Sequence, residues 1–494
     1  MKKATAFFLP LLCGFLCFAG ADLQYAAGYS TKSARIKIAC IGNSITYGDG
    51  ISDRERNSYP AQLQSMLGSR YEVANYGVNG ATLLHNGKIP YIKTETYQQA
   101  LASLPDIVFI KLGTNDSQPS SSVYMDEFDK DYRDLIQSFT RLASHPSVIL
   151  LTPIAAFITD TTSISSKVIK ENIISRIQLI AYSKHLELIN LYNLFIDKPG
   201  LLSDKFHPAA EGATLIAARL YESIMQKRDT AFSILPKIPE PVTISSFFGY
   251  SCADFQMNGR ECKIVSPKWA APEHPWVWRA RFWGHEPQTD IALLERGYHI
   301  AYCDVAELFG NAQAIQYWNS YYDWLQLAGL SKKAVMEGMS RGGVYVYNWA
   351  AVNPEKVACI YADNPVLDLK SWPGGKGRGP GSKNDWEIFK KDYGFDSEAE
   401  AMKFSGSPID KVKEIAAGGY PMLHVCGDAD EVVPMEENTD PFEQQIKALK
   451  GDITVIHKPG FKHHPHSLPN PTVIVDFILR SVANETISTS EFPW

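Results

Sequence analysis

The sequence is sparing in several features that would settle its class at once. Eight cysteines are spread over 494 residues, and neither a CxxC pair nor a His/Cys cluster occurs at ligand spacing, which speaks against a thiolate metal site. Beyond the first twenty residues no apolar run approaches 18 residues, so no membrane-spanning helix is expected. G-x-G-x-x-G and Walker patterns are missing from strand–helix junctions, and no cofactor is expected. Basic clusters are missing too. The 48 basic residues are outnumbered by 54 acidic ones, a net charge of −6. That argues against nucleic acid or an anionic membrane as partner.

The rest of the composition is that of an ordinary globular protein, with 45% hydrophobic, 21% charged and 12% aromatic residues. The length allows two or three domains with sizeable cores. Lys2 and Lys3, an apolar run and Ala19-Gly20-Ala21 read as a cleavable signal peptide over residues 1–21, which implies a secreted or periplasmic protein. Cys17 follows Leu16, which argues against a lipid anchor. Without the two leader lysines the charge becomes −6 − 2 = −8. Cys13 and Cys17 leave with the leader. Cys40, Cys303, Cys359 and Cys426 sit in strand-like apolar runs as buried thiols. Cys252 and Cys262 flank a polar loop, and an exported protein can join such a pair in a disulfide. Oligomeric state leaves no signal.

Residues 30–228 alternate strand-like runs at 36–41, 72–76, 107–112, 148–153 and 186–191 with amphipathic helical patterns at 59–67, 125–144, 166–184 and 209–227. Such alternation predicts a parallel sheet covered on both faces. Polar patches follow three of the strands and precede the last helix. Ser44 lies in GNSIT, Gly80 in NYGVNG, Asn115 in GTND, and Asp204 and His207 in DKFHP. Open α/β sheets place ligands at the carboxyl ends of their strands. Acyl transfer needs a nucleophile, a base, a group orienting the base and donors for the oxyanion. Ser44, His207 and Asp204 supply the first three, while Gly80 and Asn115 offer donors.

The four patches, in this order, resemble the SGNH (GDSL-type) hydrolases. The resemblance implies a flavodoxin-like sheet, with Ser44 as nucleophile, His207 and Asp204 completing the triad, and Ser44, Gly80 and Asn115 forming the oxyanion hole. One departure is Asn43, where the family usually has aspartate; it is neither base nor nucleophile, and a small effect is expected.

Proline-dense residues 229–246 read as a semi-rigid linker. Residues 247–267 read as an opening hairpin. Strands are then expected at 276–283, 299–305, 334–339, 357–361, 421–426 and 453–457, with helices at 289–296 and 312–327. The third of these strands, 334–339, runs into Gly338-Met339-Ser340-Arg341-Gly342. G-x-S-x-G between strand and helix is a nucleophile elbow. This second half, residues 247–484, resembles an α/β-hydrolase, which makes the whole an α/β protein of two domains. The resemblance implies Ser340 as nucleophile and Asp430 as acid, with Asp428 as second choice. His463 is the expected base, with His464 and His466 near enough to compete. The Arg341 N–H is one expected oxyanion donor, and the other is placed loosely near Trp283, Gly284 and His285. Residues 366–418 fall where this fold carries its cap. The HHPH run at 463–466, with no carboxylate partners evident, is not taken as a metal site.

Together these readings predict an exported carboxylesterase with two serine sites. The pairing resembles carbohydrate esterases that remove acetyl or related acyl groups, so a glycan or small acyl ester is the expected partner. Trp276, Trp278, Trp283, Trp372 and Tyr345 are candidate sugar-stacking faces, though tryptophans in strands are most often core. A lipase, a peptidase of the prolyl-oligopeptidase type and a glycan-binding protein with degenerate sites are the alternatives.

Overall fold

The computed structural model describes residues 35–159 and 163–483. The leader read at 1–21 lies outside the described residues. Five strands, β1 (Ile36–Gly42), β2 (Tyr71–Gly77), β3 (Ile107–Lys111), β4 (Ser147–Leu151) and β5 (Glu187–Ile189), form a wholly parallel sheet in the order β2-β1-β3-β4-β5. The central strands are apolar on both faces, because helices cover both. In β1, Ile38 to Ile41 are all essentially inaccessible. Chain order reverses between β1 and β3, and such a switch point opens a crevice at the carboxyl edge of the sheet. Ser44 begins the one-turn helix α1 (Ser44–Tyr47) there, and Asn115 follows β3.

The second sheet has nine strands, β6 (Thr243–Phe247), β7 (Tyr250–Met257), β8 (Arg260–Ser266), β9 (Trp276–Ala280), β10 (His299–Cys303), β11 (Ala334–Met339), β12 (Val357–Asp363), β13 (Met422–Gly427) and β14 (Ile453–Lys458). Their order is β14-β13-β12-β11-β9-β10-β8-β7-β6. The six strands from β10 to β14 run parallel, and β8, β7 and β6 continue antiparallel. This is an α/β-hydrolase type of sheet, with the elbow after β11.

Three expectations need correction. The stretch read as a linker is part of the second body: Ile234 and Ile238 are buried in its core, and β6 is its edge strand. The strand expected at 276–283 stops at Ala280, because Arg281 and Phe282 take left-handed backbone angles, φ 59° and 47°. Cys252 and Cys262 are not paired. Cys252 stands opposite Val265, whereas Cys262 stands opposite Cys303, and the two lie in separate core clusters. The six described cysteines are free thiols.

The two sheets meet through a seam of buried charge. Arg219, on helix α2 (Ala210–Met225), pairs with Glu295 at 2.7 Å, and Arg296 grips Glu222 at 2.6 and 2.9 Å. Glu295 also accepts the backbone N–H of Asn190 at 2.7 Å, and Asn470 donates to Asp197 at 3.0 Å. Among the described residues no helix is long and apolar enough to cross a membrane.

Candidate active sites

Asn43 caps α1, its side-chain oxygen accepting the Ile45 N–H at 3.1 Å. An amide serves this task as a carboxylate would, which accounts physically for the departure at this position. The cap fixes Ser44 at the end of β1, 2.8 Å from His207 Nε2. His207 is carried in by the turn before α2, and its Nδ1 meets Asp204 Oδ2 at 2.7 Å. A carboxylate only accepts, so Nδ1 carries the proton and Nε2 is left to accept from the serine hydroxyl. Asp204 also accepts the backbone N–H of His207 at 2.8 Å. Partial burial works to raise this carboxyl, but the bonds from His207 prevail and hold it below the usual carboxylate range.

The glycine and asparagine patches are joined to each other. Asn115 Nδ2 donates to Ala81 O at 2.9 Å, and buried Asp116 accepts the N–H groups of Leu83 and Leu84 at 3.1 and 2.8 Å. Gly80, at φ 73°, turns the chain into this clamp. Burial pushes Asp116 up to about 6. Behind it, burial brings Lys111 down to about 7, with Thr114 Oγ1 its nearest polar partner at 3.5 Å.

The second constellation repeats the logic on different elements. Ser340 sits at φ 49° between β11 and helix α3 (Gly342–Val352). This strained backbone is the mark of an elbow. Its Oγ is 2.9 Å from His463 Nε2, and His463 Nδ1 meets Asp430 Oδ2 at 2.7 Å. Asp430 is fixed by the N–H groups of Val432 and Val433 at 2.8 and 2.9 Å. Asp428, the second choice, instead pairs with His457 at 2.8 Å, and His464 and His466 are not the imidazoles on Ser340. Arg341 caps α3, where backbone N–H groups lack intrahelical partners.

Of the loosely placed second donor, the structure removes one candidate: the His285 N–H is spent on Phe282 O at 3.1 Å. The turn containing Trp283 and Gly284 is held from beneath by Arg279, which donates to Phe282 O at 3.3 Å and to His285 O. Arg279 is fully buried with Asp290 and Glu337. Residues of the expected cap reach the site, since the Arg341 guanidinium pairs with Asp385 at 2.9 Å and lies 5.1 Å from the Trp372 ring centre. Trp276, Trp278 and Tyr345 are buried and cannot stack on a sugar; Trp283 and Trp372 keep partial exposure.

Sequence reasoning missed several neighbours. Asp49 lies 4.0 Å from His207 Nε2 and accepts from Asn79 at 3.1 Å. Asn364 bridges the acid and base loops, donating to His463 O at 2.9 Å and accepting the Gly427 N–H at 2.8 Å. Asp363, at the end of β12, holds His466 Nδ1 at 2.7 Å. Position at a strand end was the one available signal for Asp363 and Asn364.

Comparison with known proteins bears on the first half. Residues 40–215 match the GDSL-like Lipase/Acylhydrolase family. An acetylxylan esterase of Xylanibacter ruminicola is 39% identical over 204 residues, 38% of this chain and 42% of that protein. The chain thus spans less than half the length of this curated relative. A Bacillus subtilis protein, YpmR, described as uncharacterized, is 24% identical over 45% of this chain and 94% of its own length. Among solved structures, the Pyrococcus horikoshii acylaminoacyl peptidase is 16% identical with a TM-score of 0.37, covering 50% of this chain and 43% of that one. With its five-stranded parallel sheet and the serine that follows β1, the first half of the chain carries a GDSL-like lipase/acylhydrolase domain, matched over residues 40–215.

Proposed function

We propose that the protein is a carboxylesterase with two serine sites, Ser44–His207–Asp204 and Ser340–His463–Asp430, which removes acetyl or related acyl groups from glycans outside the cytoplasm. The observation that carries this reading is the repeated relay. In each, a hydroxyl meets a basic imidazole nitrogen at 2.8 or 2.9 Å, and a carboxylate orients the imidazole at 2.7 Å. In each half the imidazole takes the hydroxyl proton as the oxygen attacks the ester carbonyl, then returns it to the leaving alcohol. The orienting carboxylate stabilises the imidazolium that forms between these steps. Gly80, Asn115 and the Ser44 N–H are the donors for the first oxyanion, and the Arg341 N–H is a donor for the second. Similarity of the first half to an acetylxylan esterase supports an acetylated glycan as substrate.

The test is to assay wild type, Ser44→Ala, Ser340→Ala and the double variant on p-nitrophenyl acetate and on acetylated, feruloylated and methyl-esterified glycans. Each single variant is expected to lose one activity and keep the other, and the double variant to lose both. Loss of all turnover in either single variant would overturn the two-site reading. Absence of hydrolysis by wild type would favour a glycan-binding protein.

A further inference from the structure

The second site holds more imidazole than its chemistry consumes. The ring centres of His463, His464 and His466 form a near-equilateral triangle with sides of 4.9, 4.9 and 4.7 Å. The rings stand almost perpendicular to one another, at 78°, 80° and 83°. One nitrogen from each lies within 4.8 Å of the others. A fourth imidazole, His285, stands 6.1 Å from His464 and 5.9 Å from His466.

The sequence showed no carboxylates behind this run, but the fold supplies two. Asp430 holds His463 Nδ1 and Asp363 holds His466 Nδ1, both at 2.7 Å. Each carboxylate fixes its proton on Nδ1 and leaves Nε2 as a lone-pair donor. This carboxylate–histidine arrangement is the one that orients and strengthens metal-ligating imidazoles. His464 is exposed and completes the set from the solvent side. Three imidazoles bound to one ion at about 2.0–2.1 Å hold their ring centres roughly 5 Å apart, close to the spacing already present. A neutral, all-nitrogen donor set selects a borderline transition metal such as zinc over calcium or magnesium.

We infer that His463 Nε2, His464 and His466 Nε2 form a site for a divalent transition metal of the zinc class, and that its occupancy silences the second site. The reason is a shared atom. His463 Nε2 is the nitrogen 2.9 Å from Ser340 Oγ. A lone pair given to a metal is withdrawn from the serine proton, so base and ligand exclude each other. Among the described residues no such cluster includes His207, so the first site is expected to keep its rate when the ion binds. The silencing rests on the esterase reading of Ser340; the binding does not.

The two parts are tested separately. For binding, Co²⁺ is titrated into the Ser340→Ala protein, where His463 Nε2 is released from the hydroxyl, and its visible d–d bands and the stoichiometry by equilibrium dialysis are recorded. One equivalent with tetrahedral-type bands is expected, and the bands should fade in Ser340→Ala/His464→Ala, whose second change lies on the surface. No bands, or bands indifferent to His464→Ala, overturn the site. For silencing, Zn²⁺ is titrated into the Ser44→Ala and Ser340→Ala proteins, each rate being normalised to its own metal-free rate. Ester turnover by Ser44→Ala should fall at least about tenfold at saturation and return with EDTA, while Ser340→Ala holds its rate. Equal inhibition of both, or of neither, overturns the silencing. If Ser44→Ala turns over no ester at all, the esterase reading of Ser340 falls and the silencing with it, while the Co²⁺ titration still decides the metal site.

Discussion

Asn115 spends one amide hydrogen on Ala81 O and carries a second. As an oxyanion donor, that second hydrogen acts only as charge develops. Asn115→Ala, assayed with Ser340 replaced by alanine, should therefore lower kcat by about 10²- to 10³-fold with little change in KM. Lys111 makes a different kind of prediction. Its usual value is 10.5, and burial holds it near 7 in the folded protein. Between these values the unfolded chain binds a proton that the folded one does not, so stability rises with pH across that window. Lys111→Met should flatten the slope and raise stability at pH 7 by as much as about 4–5 kcal/mol, read from urea midpoints at several pH values. At this scale the grouping of each serine, histidine and aspartate was legible because their motifs are short and ordered along the chain. Asp49, Asn364 and Asp363 were not. Asn364 and Asp363 reach partners about a hundred residues away, and only the fold brings them together.

The elbow between β11 and α3 shows how an element positions the Ser340 hydroxyl. A β-carbon on Gly342 would come 2.8 Å from Ala280 O, an atom of the neighbouring strand β9. Gly342→Ala should separate β9 from the elbow and move Ser340 relative to His463. A displacement of about 1 Å is enough to cost roughly 10²-fold. Turnover in a Ser44→Ala background should drop by that order, while first-site activity, read in the Ser340→Ala/Gly342→Ala protein, stays level. The glycines of this element were readable from the sequence, since G-x-S-x-G has a geometric cause. The end of β9 was not, because nothing in Arg281 or Phe282 announces a left-handed backbone. Arg279 holds the carbonyls of Phe282 and His285 in this turn, and is itself fixed by Glu337 of a different strand, a tertiary cause. The cysteines make the same point. Sequence proximity joined Cys252 to Cys262, whereas strand register sets Cys262 against Cys303.

Across the whole molecule, the seam between the sheets decides how far the halves are separate. Glu295 satisfies both Arg219 and the Asn190 N–H, and it is almost fully buried. Glu295→Ala leaves a buried guanidinium without its closest partner, a change that costs about 3–5 kcal/mol. The unfolding midpoint should fall accordingly, and the activities proposed for the two sites should be lost together on mild heating. Proline density at 229–246 suggested two bodies on a tether, because composition records local stiffness and says nothing of what packs on it. Ile234 and Ile238 are instead anchored in the second core.

That seam bears on how the halves can be handled. A scissile point chosen from the prolines would strip Ile234 from the second core and leave Arg219 or Glu295 facing water on a surface shaped for its counterpart. Fragments expressed apart should aggregate or stick to each other, and silencing one serine in the intact chain is the cleaner way to watch the other work.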